Sequence, residues 1–298
     1  MRERVCEFGP QLNLTGLLTE PTATTHPELP AVVMLNAGLL HRVGPHRMSV
    51  ILARKLAEQG VTSLRFDLGG RGDSNASGQA ESDEDQVQAD IVDALNYLEA
   101  KRGFQTFVLL GLCAGADNAH AVALRDPRVV GAVFLDGHGY WTRRSYMEYY
   151  LPRLARPSSW LSFARRNLAA QKQDEEDVGG HGRRKPFGPR HQVEHEIQSL
   201  VNRNAQLLYV YTGGVTSYYN YTRQFFDMFA GLKPRDRISV EYYPNADHTY
   251  TFSEDRERMV ERVVEWFGSC DWSVVRARYS STSSNPAVQN VSAEHTAA

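Results

Sequence analysis

The sequence predicts an α/β chain with a mostly parallel, doubly wound sheet, and three observations carry that reading. Apolar runs rich in β-branched residues recur at Ala31–Leu35, Val61–Phe66, Phe107–Leu110 and Val129–Leu135, each the length of a buried strand. Amphipathic stretches separate them, so strand and helix alternate as they do where helices cover both faces of a parallel sheet. After a strand-poor interval the alternation resumes, with strands at Gln206–Thr212 and Ile238–Tyr243.

Taken in order, Val5–Phe8 and Leu14–Thr19 flank a Gly-Pro turn and predict an antiparallel hairpin at one edge of the sheet. Ala31–Leu35 is the third strand. Met48, Ile51, Leu52 and Leu56 recur at helical spacing between Pro45 and Gln59, and Gly60 stops that helix. Val61–Phe66 follows as the fourth strand. Val87, Ile91, Ala94, Leu95 and Leu98 mark a helix over Asp83–Lys101, before the fifth strand at Phe107–Leu110. The small-residue stretch Ala114–Arg125 predicts a helix that ends at Asp126-Pro127, and Val129–Leu135 is the sixth strand. From Tyr140 to about His195 no strand signal is present. Aromatic residues recur there at helical spacing (Tyr146, Tyr149, Tyr150, then Trp160 and Phe163), followed by a polar run from Gln171 to Arg190 that predicts a mobile segment. Strand seven, a helix over Tyr218–Ala230, strand eight and a helix over Ser253–Phe267 complete the pattern, and the Ser/Thr-rich end predicts disorder. The expected organisation is a core over 1–139 and 201–268, a helical cap inserted after strand six over 140–200, and a disordered tail over 269–298.

Composition narrows the class. Of the 298 residues 42% are apolar and 23% charged, as in an ordinary globular protein. Lys plus Arg number 33 against 35 Asp plus Glu, so the net charge of −2 gives no reason to expect a nucleic-acid partner. The longest nearly unbroken apolar stretch, Ala31–Leu40, is roughly half a membrane span and is interrupted by Asn36. The charged start Met1-Arg-Glu-Arg-Val-Cys-Glu7, with three cysteines in all, predicts a reducing, cytoplasmic location. No Walker loop, G-x-G-x-x-G string or metal-ligand spacing is present, so the sequence implies no cofactor.

Chemistry concentrates at Gly111-Leu-Cys113-Ala-Gly115, between a buried strand and a small-residue helix. This is the G-x-S-x-G nucleophile elbow with cysteine in place of serine. Such a turn holds the nucleophile at a helix N-terminus, where unpaired N–H groups favour a thiolate and an oxyanion. The elbow calls for a histidine after the last strand, and His248 in Tyr243-Pro-Asn-Ala-Asp-His248-Thr249 stands there. The oxyanion hole is expected from the N–H of Ala114 together with that of Gly38 or Leu39, in the loop Asn36–Pro45 after strand three. His41 and Arg42 in that loop, with Arg143, Arg144 and Tyr146 at the start of the cap, are the candidate substrate contacts. The Gly-rich run Asp67–Ser74 reads as loop architecture beside the site, and Cys6 and Cys270 as structural cysteines.

With these residues in place the chain resembles the α/β-hydrolase superfamily over Val5–Gly268. More narrowly, it is similar to the exosortase A system-associated hydrolases. The likeness is carried by Arg42-Val-Gly-Pro-His-Arg47, Leu64-Arg-Phe-Asp-Leu-Gly-Gly-Arg-Gly-Asp-Ser74, Gly111-Leu-Cys113, Tyr149-Tyr-Leu-Pro-Arg-Leu154 and Ala246-Asp-His248. The resemblance implies a hydrolase with a cysteine nucleophile on a dienelactone-hydrolase-like elbow. In such proteins the acid usually follows strand seven in a Gly-x-Asp context. Here that turn reads Tyr211-Thr-Gly-Gly-Val215, without a carboxylate. Asp136, at the end of strand six in Phe134-Leu-Asp-Gly-His138, is the expected replacement. An Asp capping its own turn, which would leave a Cys113–His248 dyad, is the alternative.

The stretch Trp141–Arg190 carries eleven Arg or Lys against five acids. A basic cap of this kind suits an acyl group on an anionic carrier, such as coenzyme A or a phosphopantetheine arm; a solvated helical face is the other reading. Two function classes follow. One is a cysteine-dependent hydrolase or acyltransferase acting on a small-molecule ester or thioester. The other is a non-catalytic binding or scaffold protein on a degenerate hydrolase fold.

Overall fold

A computed structural model describes residues 1–22, 28–78, 80, 82–154 and 187–273. Eight strands form one sheet: β1 (Arg2–Phe8), β2 (Leu14–Glu20), β3 (Ala31–Met34), β4 (Ser63–Phe66), β5 (Phe107–Leu112), β6 (Val129–Leu135), β7 (Gln206–Thr212) and β8 (Ile238–Tyr243). Their order is β1-β2-β4-β3-β5-β6-β7-β8. The β1–β2 hairpin pairs antiparallel and meets β4 antiparallel, whereas every pairing from β4 to β8 is parallel.

Alternation along the central strands explains why both faces are covered. In β5, Phe107 and Leu109 enter one core, and Val108, Leu110 and Leu112 enter the other. The first core takes the inner faces of α2 (Asp83–Arg102) and α3 (Ala114–Arg125), while the second takes α1 (Met48–Glu58) and α7 (Ser253–Ser269). Helix α2 shows how local chemistry sets the boundaries. The Ser82 hydroxyl accepts from the Asp85 N–H at 3.2 Å, three acids occupy the first turn, and Gly103 closes the helix with a left-handed φ of 75°.

Three expectations need adjustment. The helix expected from Pro45 begins with a short 3₁₀ turn, Pro45–Arg47, and becomes α-helical only at Met48. Positive φ at His46 and Arg47 breaks the continuity between the two. The helix expected over Tyr218–Ala230 is confined to α6, Gln224–Met228. The preceding residues are bent by tertiary contacts: Tyr219 stacks on Tyr211 at 3.7 Å, and the Gln224 side chain accepts from the Asn220 N–H at 2.8 Å. The range 140–200, assigned to the insertion, ends in α5 (Arg190–Asn202), whose Val193, Ile197, Leu200 and Val201 are part of the core. Glu196 on α5 bonds the buried His120 of α3 at 2.9 Å, tying this helix to the elbow helix. His191 and His195 are exposed on it.

The described part of the expected cap is α4 (Arg143–Leu154). Its start is held by Thr142 and Ser145, each side chain accepting from the other's backbone N–H, at 2.7 and 3.1 Å. Asn220 donates to the Ser145 carbonyl at 2.9 Å and so ties α4 to the loop after β7. Most of the polar run from Gln171 to Arg190 lies outside the described residues, as does the expected tail beyond Ser273. The start of the range 269–298 needs correcting: Ser269 still belongs to α7, and Trp272 is buried against Trp266 and Phe267, its indole N–H donating to the Phe267 carbonyl at 3.0 Å. Among the described residues no helix is long and apolar enough to cross a membrane.

Candidate active site

The parallel register brings the C-terminal ends of β3, β5, β6, β7 and β8 to one edge, where α/β sheets place their ligands. Leu112 pairs with Leu135, and Leu135 with Val210. The next residues along the chain are locked to those strand ends: the Cys113 N–H donates to Leu135 O at 2.9 Å, and the Asp136 N–H to Val210 O at 2.8 Å.

Cys113 has φ 56° and ψ −117° at the N-cap of α3, a conformation that costs an L residue of order 1–3 kcal/mol. The flanking glycines make that turn possible. A Cβ on Gly111 would lie 2.1 Å from the Gly115 backbone, and one on Gly115 would lie 2.7 Å from the Asn36 carbonyl. The second contact also shows that the loop after β3 is pressed against the first turn of α3. Ala114 opens that helix, so its N–H is among those a helix leaves without an internal partner.

Asp136 is fully buried and also has a positive φ, 49°. Its carboxylate accepts from the Thr212 N–H and the Thr212 hydroxyl, both at 2.7 Å, and its Oδ2 lies 2.7 Å from His248 Nδ1. Thr212 escaped the sequence reading, although it occupies the end of β7, next to the turn where an acid was expected. The glycines that follow explain why that turn has no side chain. A Cβ on Gly213 would come within 2.0 Å of the Pro244 carbonyl, and one on Gly214 within 2.4 Å of the His248 N. Strand seven thus contributes donors to an acid on strand six. With Nδ1 engaged, Nε2 is the ring nitrogen left for Cys113. The hydrogen bond to Asp136, then that to the Cys113 thiol, push the His248 pKa up from 6.5 to about 10 against the opposing effect of burial. The other two cysteines lie in unlike surroundings: burial pushes Cys6 up and Cys270 up to about 12, which disfavours their thiolates.

The loop Asn36–Pro45 is braced by the run Asp67–Ser74. The buried Asp67 carboxylate accepts from Asn36 Nδ2 at 3.1 Å, the Arg42 N–H at 2.6 Å and the Asp73 N–H at 3.2 Å, and it pairs with the Arg42 guanidinium. Arg42 reaches Asp73 as well, at 2.7 Å, and is mostly buried. Its guanidinium is engaged by these two carboxylates and by the His41 ring, at 2.9 Å. His41 belongs to the same cluster, with Nε2 3.3 Å from Asp67 Oδ2. His41, Asp67 and Asp73 present ligand atoms within 4.8 Å of one another, as a metal site would, but the guanidinium already bonds both carboxylates. Asp67→Asn should leave Arg42 short of a counter-charge and cost about 3 kcal/mol in a urea unfolding experiment. A loss below about 0.5 kcal/mol would show that Asp67 does not brace the loop.

Leu39 is 71% exposed. On α4, Arg143 and Arg144 are exposed. Arg144 stacks over Tyr221 at 4.7 Å and pairs with Glu148 at 3.3 Å. Tyr146 is half-exposed and stacks on Trp141 at 4.6 Å, giving this end of the helix an aromatic surface.

Structural comparison finds the same architecture in several solved proteins. A putative hydrolase from Agrobacterium vitis is 15% identical with a TM-score of 0.55, covering 89% of this chain and 98% of its own. A dienelactone hydrolase from Anabaena variabilis is 14% identical with a TM-score of 0.55, covering 89% and 96%. A carboxylesterase from Bacillus subtilis is 16% identical with a TM-score of 0.56, covering 91% and 93%. At these identities the likeness is one of fold. No curated protein sequence matches the chain. The sequence profile of the alpha/beta hydrolase fold matches residues 30–214, from β3 through the elbow to the turn after β7. That match spans more than half of the chain, which belongs to the α/β-hydrolase family of enzymes.

Proposed function

We propose that this α/β hydrolase is cysteine-dependent and cleaves an ester or thioester through an acyl-enzyme on Cys113. The observation that carries the reading is the chain of contacts from buried Asp136 through His248 to the Cys113 thiol. In the proposed sequence, the Cys113 thiol gives its proton to His248 Nε2, its Sγ bonds to the substrate carbonyl carbon, and the carbonyl oxygen becomes an oxyanion. The N–H of Ala114 and that of Gly38 or Leu39 receive it. Collapse of this intermediate breaks the bond to the alcohol or thiol, which leaves with the proton of His248 Nε2. Water then gives a proton to the neutral histidine as it attacks the thioester, releasing the acid and restoring Cys113. Another nucleophile in place of water would make the same site an acyltransferase or serve a biosynthetic pathway.

A binding role on a degenerate fold is the weaker reading, because the elbow glycines and the Cys113, His248 and Asp136 constellation are all present. Mass spectrometry after incubation with small activated esters and thioesters separates the two. An acyl adduct on Cys113 is expected, and its absence with every activated acyl donor would favour the binding role.

For substrate class we propose an acyl group on an anionic carrier, met by the exposed Arg143 and Arg144 beside Tyr146. Most of the basic residues counted in the sequence lie outside the described ones, so these two carry the test. Replacing both by Gln should raise KM for a coenzyme A thioester by about 3–10-fold and leave kcat within about twofold. Added salt should reproduce the effect, since exposed charges are screened over about 8–10 Å. An unchanged KM without salt dependence would sink the anionic-carrier reading.

A further inference from the structure

We infer that Arg71 is a positioning residue of the oxyanion hole, acting on the Gly38–Leu39 peptide from the side opposite the substrate. This rests on the proposed role of Cys113 and of that loop. The observation is a hydrogen bond of 2.8 Å from the Arg71 guanidinium to the Gly38 carbonyl, between residues 33 apart in the chain.

A trans peptide is planar, with its C=O and N–H pointing in opposite directions. Holding the Gly38 oxygen toward Arg71 therefore turns the Leu39 N–H to the other side. Gly38 has φ 60° with open space where a Cβ would be, inside a turn closed by the Leu40 N–H to the Ala37 carbonyl at 3.1 Å. That bond fixes the ends of the turn but is compatible with either orientation of its central peptide, which Arg71 selects. Among the described residues the N–H groups of Gly38 and Leu39 donate to no protein acceptor, which leaves them available to an incoming oxyanion.

The anchor is also a cation. Arg71 is partly buried, and among the described residues no carboxylate lies within ion-pair distance of it. Burial lowers its pKa, as expected for a guanidinium deprived of water. A charged donor on the carbonyl draws electron density from the same peptide and makes its N–H a stronger donor. Negative charge developing on the far side of that peptide meets both the sharpened N–H and the field of the guanidinium. The neighbouring braces hold the rest of the loop: Asn36 donates to the Leu40 carbonyl at 2.6 Å, and the Arg42 N–H bonds Asp67 at 2.6 Å. Arg71 acts on the Gly38–Leu39 peptide, inside the span that the Asn36–Leu40 bond closes.

The test compares two reactions of the same thiol in Arg71→Met and Arg71→Lys. Acylation of Cys113 by p-nitrophenyl acetate passes through an oxyanion, whereas alkylation by iodoacetamide displaces iodide and forms none. In Arg71→Met, acylation should slow by about 10–100-fold while alkylation stays within about twofold. Arg71→Lys keeps a charged donor and should recover part of the loss. The steady-state defect should appear in kcat with KM little changed. Equal slowing of both reactions would overturn the inference, because Arg71 would then be supporting the thiol or the fold. Unchanged acylation would overturn it too. If the unsubstituted protein is alkylated at Cys113 but never acylated, the nucleophile reading fails first and takes this inference with it.

Discussion

Cys113→Ala should reduce turnover by about 10⁴-fold or more, because no other group at the elbow can form the acyl intermediate. The fold should persist. Cys113 is only partly buried, and the positive φ at this position is held by the elbow glycines and the contact with Asn36 rather than by the thiol. The melting temperature should therefore move by no more than about 2–4 °C. Cys113→Ser should fall between alanine and the native enzyme. Its histidine already has a carboxylate at 2.7 Å, but a hydroxyl ionises far less readily than a thiol. Steady-state assays on an activated ester, with thermal melts alongside, make the check. Native-like turnover in the alanine variant would remove Cys113 from the mechanism.

Asp136→Asn should lower kcat/KM by about one to three decades, a smaller loss than in a serine triad because the thiol needs less help. The direction follows from the hydrogen bonds. The native carboxylate accepts three of them, two from Thr212 and one with His248. An amide keeps one acceptor and turns a donor toward either Thr212 or Nδ1. Facing Nδ1, it favours the tautomer with its proton on Nε2, the nitrogen that should exchange protons with Cys113 and the leaving group.

The pH profile supplies the second readout. His248 is raised from 6.5 to about 10, first by its bond to Asp136 and then by its bond to Cys113. A group whose folded pKa is raised stabilises the fold fully below its unfolded value, and that contribution is lost as pH rises through the folded one. The pair's contribution is therefore complete below about 6.5 and disappears as pH rises through about 10, and the alkaline limb of activity should lie near the upper value. Removing the Asp136 charge should move that limb to lower pH. An unshifted limb with undiminished kcat/KM would leave a Cys113–His248 dyad and exclude the acid.

How much of this was legible in the sequence follows from the range of the forces involved. Strand runs such as Val129–Leu135 and Gln206–Thr212 match the structure residue for residue. Burial on both faces writes itself into consecutive apolar residues. The elbow is equally local, since Gly111 meets Gly115 within five positions of chain. His248 was found by its place after the last strand, which the sequential winding of the sheet dictates. Helix α5 was missed as a core element because its flank is polar, although Val193, Ile197, Leu200 and Val201 keep helical spacing.

Apolar periodicity says that a side chain is buried but names no partner for a charge. By itself the sequence determined the doubly wound sheet, the turn that carries Cys113, and the shortage of acids after β7 that pointed to Asp136. Only the tertiary structure decided that Asp136 reaches His248 across 112 residues, with Thr212 supplying two of its hydrogen bonds. It also decided that Arg42 is held by Asp67 and that Arg71 holds Gly38. These contacts are short-ranged and directional, and they join residues from different loops. They exist only after β6, β7 and β8 have come side by side and the loops after β3 and β4 have met, which no local pattern of residues records.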